Sequence, residues 1–97
     1  MTASEFIAPR QIEENIYKNK DLTDNEKDSL SNLMSNDAMD EEKVLDHPLE
    51  MLKFLTSISD EIMIEKCIPQ VEKWVKDGED VSLHRVKEWL IEKYQLL

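Results

Sequence analysis

Glycine is almost missing from this 97-residue chain, and that scarcity constrains the fold more than any other feature of the sequence. The chain contains one glycine and three prolines. A many-stranded sandwich or barrel needs a turn about every 8–12 residues, and glycine and proline supply many of the residues in such turns. The composition therefore argues against these all-β folds and against a glycine-rich phosphate loop. The length predicts a single domain, residues 1–97.

The chain is strongly acidic, with 22 Asp and Glu residues against 12 Lys and Arg residues and a formal net charge of −10. A field of that sign repels nucleic-acid phosphates and anionic lipid, so we expect neither direct nucleic-acid binding nor a membrane role. Nine acids and two lysines lie between Asp21 and Asp46. The favoured interpretation of this stretch is a solvated acidic face, and the sharper one is a surface that attracts a basic partner.

Packing must stabilise the fold, because a single cysteine cannot form an internal disulfide. Hydrophobic residues make up 40% of the chain, which is enough for a modest core. Residues 1–6 show neither a basic region nor a long apolar run, so they do not predict a secretory signal. We expect residues 1–8 to be flexible. The lone thiol and the lack of an apolar run of about 18 residues favour an intracellular protein, cytoplasmic or nuclear.

Helical spacing of the apolar residues predicts an all-α fold, a small bundle of four to six helices with residues 48–97 as its dependable core. Pro9 and Pro48 suit the first turn of a helix, where the missing N–H has no intrahelical acceptor. Thr23 begins a capping-box sequence, and Ser82 is predicted to cap the last helix. Three further predicted signals are Asp40 as the cap of a short helix through Leu45, Ser59 as a cap after a break at residues 57–60, and Gly78 at a helix C-terminus.

The strongest apolar stripe lies within residues 64–75, and its spacing matches a period of 3.6 residues. Its members are Ile64, Cys67, Ile68, Val71, Trp74 and Val75. Pro69 lies inside this stripe and cannot donate a backbone hydrogen bond, so a kink or the start of a new helix is expected there. The two other stripes are Leu49, Leu52, Leu55 and Ile58, and Leu83, Val86, Leu90, Tyr94 and Leu97.

No combination of residues predicts catalysis, a cofactor or a metal. Cys67 lies on the apolar stripe, where burial raises the pKa of a thiol, so a structural cysteine is favoured over a nucleophile. His47 and His84 are far apart along the chain, without the paired spacing of metal ligands. The acids of residues 37–46 lack the alternating ligands and the glycine of a calcium loop. We therefore expect a protein that is not an enzyme.

The segment Asp28-Ser29-Leu30 is similar to the Asp-Ser-Leu site at which acyl carrier proteins carry phosphopantetheine. That chemistry needs an exposed serine at a helix N-terminus. The capping box at Thr23 instead predicts that Ser29 lies inside a helix, and the glycine usual before the motif is missing. An acyl-carrier-like function at Ser29 is therefore kept only as a lesser alternative.

The two tryptophans, Trp74 and Trp89, both lie on or beside apolar stripes of the C-terminal half. One interpretation is that each fills the seam between the last two helices. The other is that one of them is partly exposed and anchors a partner, since tryptophan is enriched at binding hot spots. Core filling is favoured, because a domain this small has few other large side chains from which to build a core.

Residues 49–97 resemble the N-terminal helical domain of transcription elongation factor TFIIS and its relatives. The matching segments are Leu49 to Leu55, Ile62 to Ile68, Val71 to Val75, Asp77-Gly78, Val81 to Leu83 and Trp89 to Tyr94. The resemblance rests mostly on apolar residues at helical spacing. It implies a bundle of four or five helices that docks short disordered motifs of transcription regulators. The chain departs from the family in its stronger acidity and in Pro69, and no functional residue is carried over.

These observations favour a small acidic protein–protein interaction module, in which an apolar groove takes a segment of a partner and an acidic rim steers a basic one. The residues expected to contact that partner are Trp74, Trp89, Asp37, Asp40, Glu41 and Glu42. The alternative is a small inhibitor, immunity or anti-restriction protein that mimics nucleic-acid phosphates, which requires carboxylates in rows on one face. Association of the chain with itself through an exposed helix face stays open.

Overall fold

A computed structural model describes residues 9–97 of the chain, and within them it shows helices and no strand. The α-helices are α1 (Pro9–Lys18), α2 (Asp24–Met34), α3 (Pro48–Leu55), α4 (Glu61–Lys76) and α5 (Leu83–Lys93), and a 3-10 helix spans Asp37–Asp40. The predicted all-α bundle is thereby confirmed. The expectation that residues 1–8 are flexible lies outside the described residues.

One hydrophobic core joins the five α-helices. The longest helix, α4, packs against both α2 and α3, while α1 packs against α2 and α5 packs against the 3-10 helix. Buried side chains of this core come from every helix, from Ile12 in α1 to Leu90 in α5. The core therefore includes α1 and α2 as well as residues 48–97, which the sequence predicts as the dependable part of the core.

Three of the predicted helix ends lie where the sequence places them. Thr23 and Glu26 form the capping box, with the N–H of Glu26 3.1 Å from the Thr23 hydroxyl and the N–H of Thr23 2.9 Å from the Glu26 carboxylate. The hydroxyl of Ser82 accepts a 3.1 Å hydrogen bond from the N–H of Arg85. Gly78 follows α4 with a positive φ of 75°, a conformation that glycine adopts without strain.

Two asparagines, Asn15 in α1 and Asn19 just after it, tie the N-terminal helix to the other end of the chain. The amide of Asn19 donates to the carbonyl oxygen of Tyr94 at 3.0 Å, and the amide of Asn15 donates to that of Leu96. Leu96 is turned into the core after Gln95 adopts a positive φ. The same turn leaves the last residue of the chain exposed.

The prediction of a short helix that begins at Asp40 is wrong. The 3-10 helix ends there, and the 41–47 segment that follows is not helical. Two backbone hydrogen bonds of 2.8 Å hold this segment against the start of α5, from the N–H of His84 to the carbonyl of Glu41 and from the N–H of Leu45 to the carbonyl of Val81. Pairing with a distant part of the chain uses backbone groups that a local helix would need.

The turn between α3 and α4 also differs from the prediction. Because α3 ends at Leu55, Ile58 lies beyond the helix and is 96% exposed instead of continuing a buried stripe. Asp60, and not Ser59, occupies the cap position of α4. Its carboxylate accepts a 2.6 Å hydrogen bond from the N–H of Ser57, which closes the turn and interrupts the helical spacing.

The two C-terminal stripes follow the predictions with three exceptions. The first is Val75, which is 46% exposed, so its predicted place on the buried stripe of α4 is wrong. α4 continues through Pro69, so the alternative of a new helix starting there is wrong. Pro69 has no N–H to donate to the carbonyl of Glu65 one turn earlier, and since both residues are exposed, water can bond to that carbonyl. Leu97 is 74% exposed, so its predicted place on the stripe of α5 is also wrong.

Candidate functional site

The helix α3 is apolar on two sides, although only one side faces the core. Its eight residues include five large apolar side chains, and only Leu52 among them is fully buried. Met51 and Phe54 point away from the core, and Phe54 is 86% exposed. A surface helix of a monomer normally presents polar residues on its outer face. The outer side of α3 is therefore an apolar surface that nothing in the described chain covers.

A groove of about 620 Å³ runs between α3 and the 41–47 segment, and we call it the α3 groove. Val44, Met51 and Phe54 are its exposed apolar side chains. The complete lining is Glu41, Lys43, Val44, Leu45, Asp46, His47, Glu50, Met51 and Phe54. The groove thus combines an apolar surface with charged residues at its edge, which is the usual composition of a site for a protein segment.

The charge around the α3 groove is negative. Three carboxylates line it, those of Glu41, Asp46 and Glu50, against one lysine, Lys43. Within residues 10–97, the carboxylates in close contact with basic side chains are those of Glu26, Asp40, Glu79 and Glu88. The groove carboxylates have no such contact with a described cation, so their field is available to a bound partner.

The two tryptophans lie together in the seam between α4 and α5, outside the α3 groove. Their rings meet edge to face with centroids 6.3 Å apart, and the Arg85 guanidinium lies 4.3 Å from the centre of the Trp74 ring. Trp74 is 7% exposed, and Trp89 is half-buried. These positions are those of core filling, and a contact of either ring with a partner stays a prediction.

The four acids predicted to bind a partner divide between two surfaces. Glu41 lines the α3 groove, and Glu42 is exposed on the same segment. Asp37 and Asp40 instead line a smaller cavity of about 240 Å³ between α1, α2 and the 3-10 helix, where Asp40 pairs with Lys87. The structure therefore does not bring the four carboxylates together at one site.

The candidate catalytic residues are dispersed. Cys67 is fully buried, and desolvation raises the pKa of its thiol to about 12, so the thiol stays protonated near neutral pH. His47 is exposed ahead of α3, while the Nε2 atom of His84 lies 2.6 Å from a carboxylate oxygen of Glu88. Within the described part of the chain, no three His, Cys, Asp or Glu side chains are grouped so that they could hold a metal ion.

Ser29 is fully buried in the middle of α2. Its hydroxyl accepts a 3.0 Å hydrogen bond from the N–H of Met63, in the first turn of α4. The serine thereby provides an acceptor for an amide in the first turn of a neighbouring helix. The exposure that an attached phosphopantetheine requires is not present at Ser29, and the geometry does not favour the carrier hypothesis.

Sequence reasoning missed the exposed apolar residues of α3 and its following turn. Helical spacing assigns Ile58 to a buried stripe. Phe54 lies beside that stripe, and its spacing does not predict that it is exposed. The signal that identifies the site is an excess of apolar residues, because Met51 and Phe54 lie outside the stripe of Leu49, Leu52 and Leu55. An α-helix that buries one stripe cannot bury both sets against the same core.

No helix of residues 9–97 combines the length and apolarity needed to cross a membrane. No protein-family model matches the chain, and comparison with curated proteins and with solved structures gave no significant match. The resemblance of residues 49–97 to the TFIIS N-terminal domain therefore stays a prediction.

Proposed function

We propose that this chain is a non-enzymatic protein-interaction module whose α3 groove binds a segment of another protein. The observation that carries the proposal is the second apolar face of α3, where Phe54 is almost fully exposed beside Val44 and Met51. Complete burial of one large apolar side chain contributes about 1.5–3 kcal/mol, so covering this face can supply much of the free energy of a micromolar complex.

The charge of the groove selects the partner. Carboxylates of Glu41, Asp46 and Glu50 border the apolar surface, and a segment that carries Lys or Arg would be attracted to them. A second copy of this chain is a poor occupant, because two chains with a charge of −10 repel each other. The proposed partner is therefore a different protein with a basic, partly apolar segment.

The bound segment and the cellular compartment can both be specified further. The resemblance of residues 49–97 to the TFIIS N-terminal domain supports a short motif of a transcription regulator as the bound segment. The lone cysteine, Cys67, which the fold keeps as a free thiol, supports a reducing compartment, the cytoplasm or nucleus, as the place of action.

The experiment that tests the proposal selects binding segments from random sequences. A library of random peptides displayed on phage is panned on the full chain, and enriched peptides are titrated against wild type, Phe54→Ser and Leu97→Ser. Leu97 is the matched control, since it is also a large, exposed apolar residue but lies outside the α3 groove. We expect enriched peptides with apolar and basic residues that bind Phe54→Ser at least about 10-fold more weakly than wild type.

Two results would contradict the proposal. One is that no peptide is enriched, or that Phe54→Ser leaves the affinity unchanged. The other is binding that depends on charge alone, falls steeply with salt and is lost when Asp37, Asp40, Glu41 and Glu42 are replaced by their amides. That second result would instead support the alternative function, an inhibitor that presents carboxylates in place of nucleic-acid phosphates.

A further inference from the structure

The α3 groove is polarised along the helix axis. Asp46 precedes α3 and Glu50 lies in its first turn, whereas Phe54, the most exposed apolar side chain of the groove, lies in its last turn. At a rise of about 1.5 Å per residue, the carboxylate end and the apolar end are about one helical turn apart. A partner segment that complements the groove therefore carries basic residues at one end and apolar side chains about one helical turn from that end.

Neither wall of the groove is a β-strand, because one wall is α3 and the 41–47 segment is irregular. After the first turn, the amides of α3 bond within the helix, beginning with the N–H of Met51, which lies 2.9 Å from the carbonyl of His47. On the opposite wall, the carbonyl of Glu41 and the N–H of Leu45 bond to the start of α5. An extended partner gains affinity by pairing its backbone with the edge of a strand, and no strand within residues 9–97 borders this groove.

We infer that the occupant of the α3 groove is an amphipathic helix of a partner protein, with apolar residues on one face and Lys or Arg in one terminal turn. This inference rests on the proposed function of the groove. A helix bonds its own backbone internally, so it can lie on a surface made of side chains without leaving buried amides unsatisfied. Apolar side chains at positions i, i+4 and i+7 face Met51 and Phe54, and the basic turn faces Asp46 and Glu50.

The test uses three synthetic peptides of about four helical turns, built on alanine. The parent has leucines at i, i+4 and i+7 and lysines in one terminal turn. The second replaces a central alanine by proline, which breaks the helix, and the third replaces the lysines by glutamates. Each is titrated against the full 97-residue chain by fluorescence anisotropy, and far-ultraviolet circular dichroism measures the helix gained on mixing.

We expect the parent to bind with a gain of helix and the other two peptides to bind at least about 10-fold more weakly. Glu50→Lys should reduce the preference for the lysine peptide over the glutamate peptide, because it reverses one charge at the acidic end of the groove. Glu72→Lys, an equal change of charge at an exposed position outside the groove, is the control.

The outcomes separate this inference from the proposed function. If the proline peptide binds as well as the parent, or if panned peptides bind through Phe54 without gaining helix, the inference of a helical occupant is refuted. The proposed docking function of the groove then still stands. If neither the synthetic peptides nor any panned peptide binds through Phe54, both are overturned.

Discussion

Ser29 shows how one buried hydroxyl can connect two helices. It lies in α2, but the hydrogen bond that it accepts comes from Met63 at the start of α4. A helix N-terminus has four amides without intrahelical acceptors, and each one that is buried without a partner costs free energy. The side chain of Asp60 does not cap α4, and the Ser29 hydroxyl gives the Met63 amide a second acceptor beside the carbonyl of Asp60.

Ser29→Ala is expected to lower the free energy of unfolding by about 1 kcal/mol, because the Met63 amide loses a buried acceptor. The loss stays moderate because the same amide also lies 3.1 Å from the carbonyl of Asp60. Urea unfolding measures it, with Ser31→Ala in the same helix as the control for helix propensity. Equal stabilities of the two variants would show that the Ser29 hydrogen bond contributes nothing.

Gln95 adopts a positive φ of 52° after the end of α5, which is a conformation that favours glycine. Gln95→Gly should raise the free energy of unfolding by about 0.5–1 kcal/mol, since it removes the backbone strain and keeps the turn that buries Leu96. Thermal unfolding checks this, with Gln95→Ala as a control that removes the side chain but keeps the strain. A lower stability of the glycine variant than of the alanine variant would refute the prediction.

The thiol of Cys67 makes stability depend on alkaline pH. Burial raises its pKa from 9.0 to about 12 in the folded chain, so between these values the unfolded thiol ionises while the folded thiol does not. Ionisation therefore favours the unfolded chain, and the free energy of unfolding falls as the pH rises above 9, by at most about 1.4 kcal/mol per pH unit from this group. Cys67→Ala should show a shallower fall in urea unfolding at pH values of about 9 to 10, and an identical slope would contradict the assignment.

At the scale of the element, α3 combines a structural face with the proposed binding face. Leu52 is fully buried, and Leu52→Ala should lower the free energy of unfolding by about 2–5 kcal/mol through the cavity that it leaves. Phe54→Ser should change it by no more than about 0.5 kcal/mol, because the Phe54 ring is already in water. Urea unfolding of both variants checks the difference. A large loss with Phe54→Ser would mean that its ring contributes to the fold and not to a surface.

Three helix ends with strong local signals were predicted correctly from the sequence, whereas the cap predicted at Ser59 lies at Asp60. The Thr23 capping box, the Ser82 cap and the Gly78 turn each depend on residues within one turn of a helix, and each lies where it was expected. The helix predicted from Asp40 failed because the 41–47 segment bonds to the start of α5, a contact that no local pattern encodes.

The candidate site could be predicted only in part, for the same reason. An apolar groove with an acidic rim was expected, and Glu41 was among the residues expected to contact a partner. Phe54 and Met51 could not be separated from core residues by spacing alone, since α3 has apolar residues on both sides. Which side faces α4 is decided by packing between helices, and that depends on residues distant in sequence.

At the scale of the whole molecule, excess negative charge acts against the compact state. The chain carries a net charge of −10, and its close contacts between carboxylates and basic side chains involve partly exposed groups. Salt screens repulsion among the unpaired acids, so raising the ionic strength should increase the free energy of unfolding by about 1 kcal/mol. Urea unfolding at low and high sodium chloride measures this. A decrease with salt would mean that the ion pairs outweigh the repulsion.

The central claim is that the outer face of α3, with the 41–47 segment, is where this molecule meets a partner. Nuclear magnetic resonance of the isotope-labelled chain tests it most directly, by following backbone amide shifts as a panned or synthetic basic peptide is added. The account predicts that the largest shifts fall within residues 41–58 and that the indole signals of Trp74 and Trp89 barely move. Shifts concentrated around the two tryptophans, with residues 41–58 unchanged, would contradict it.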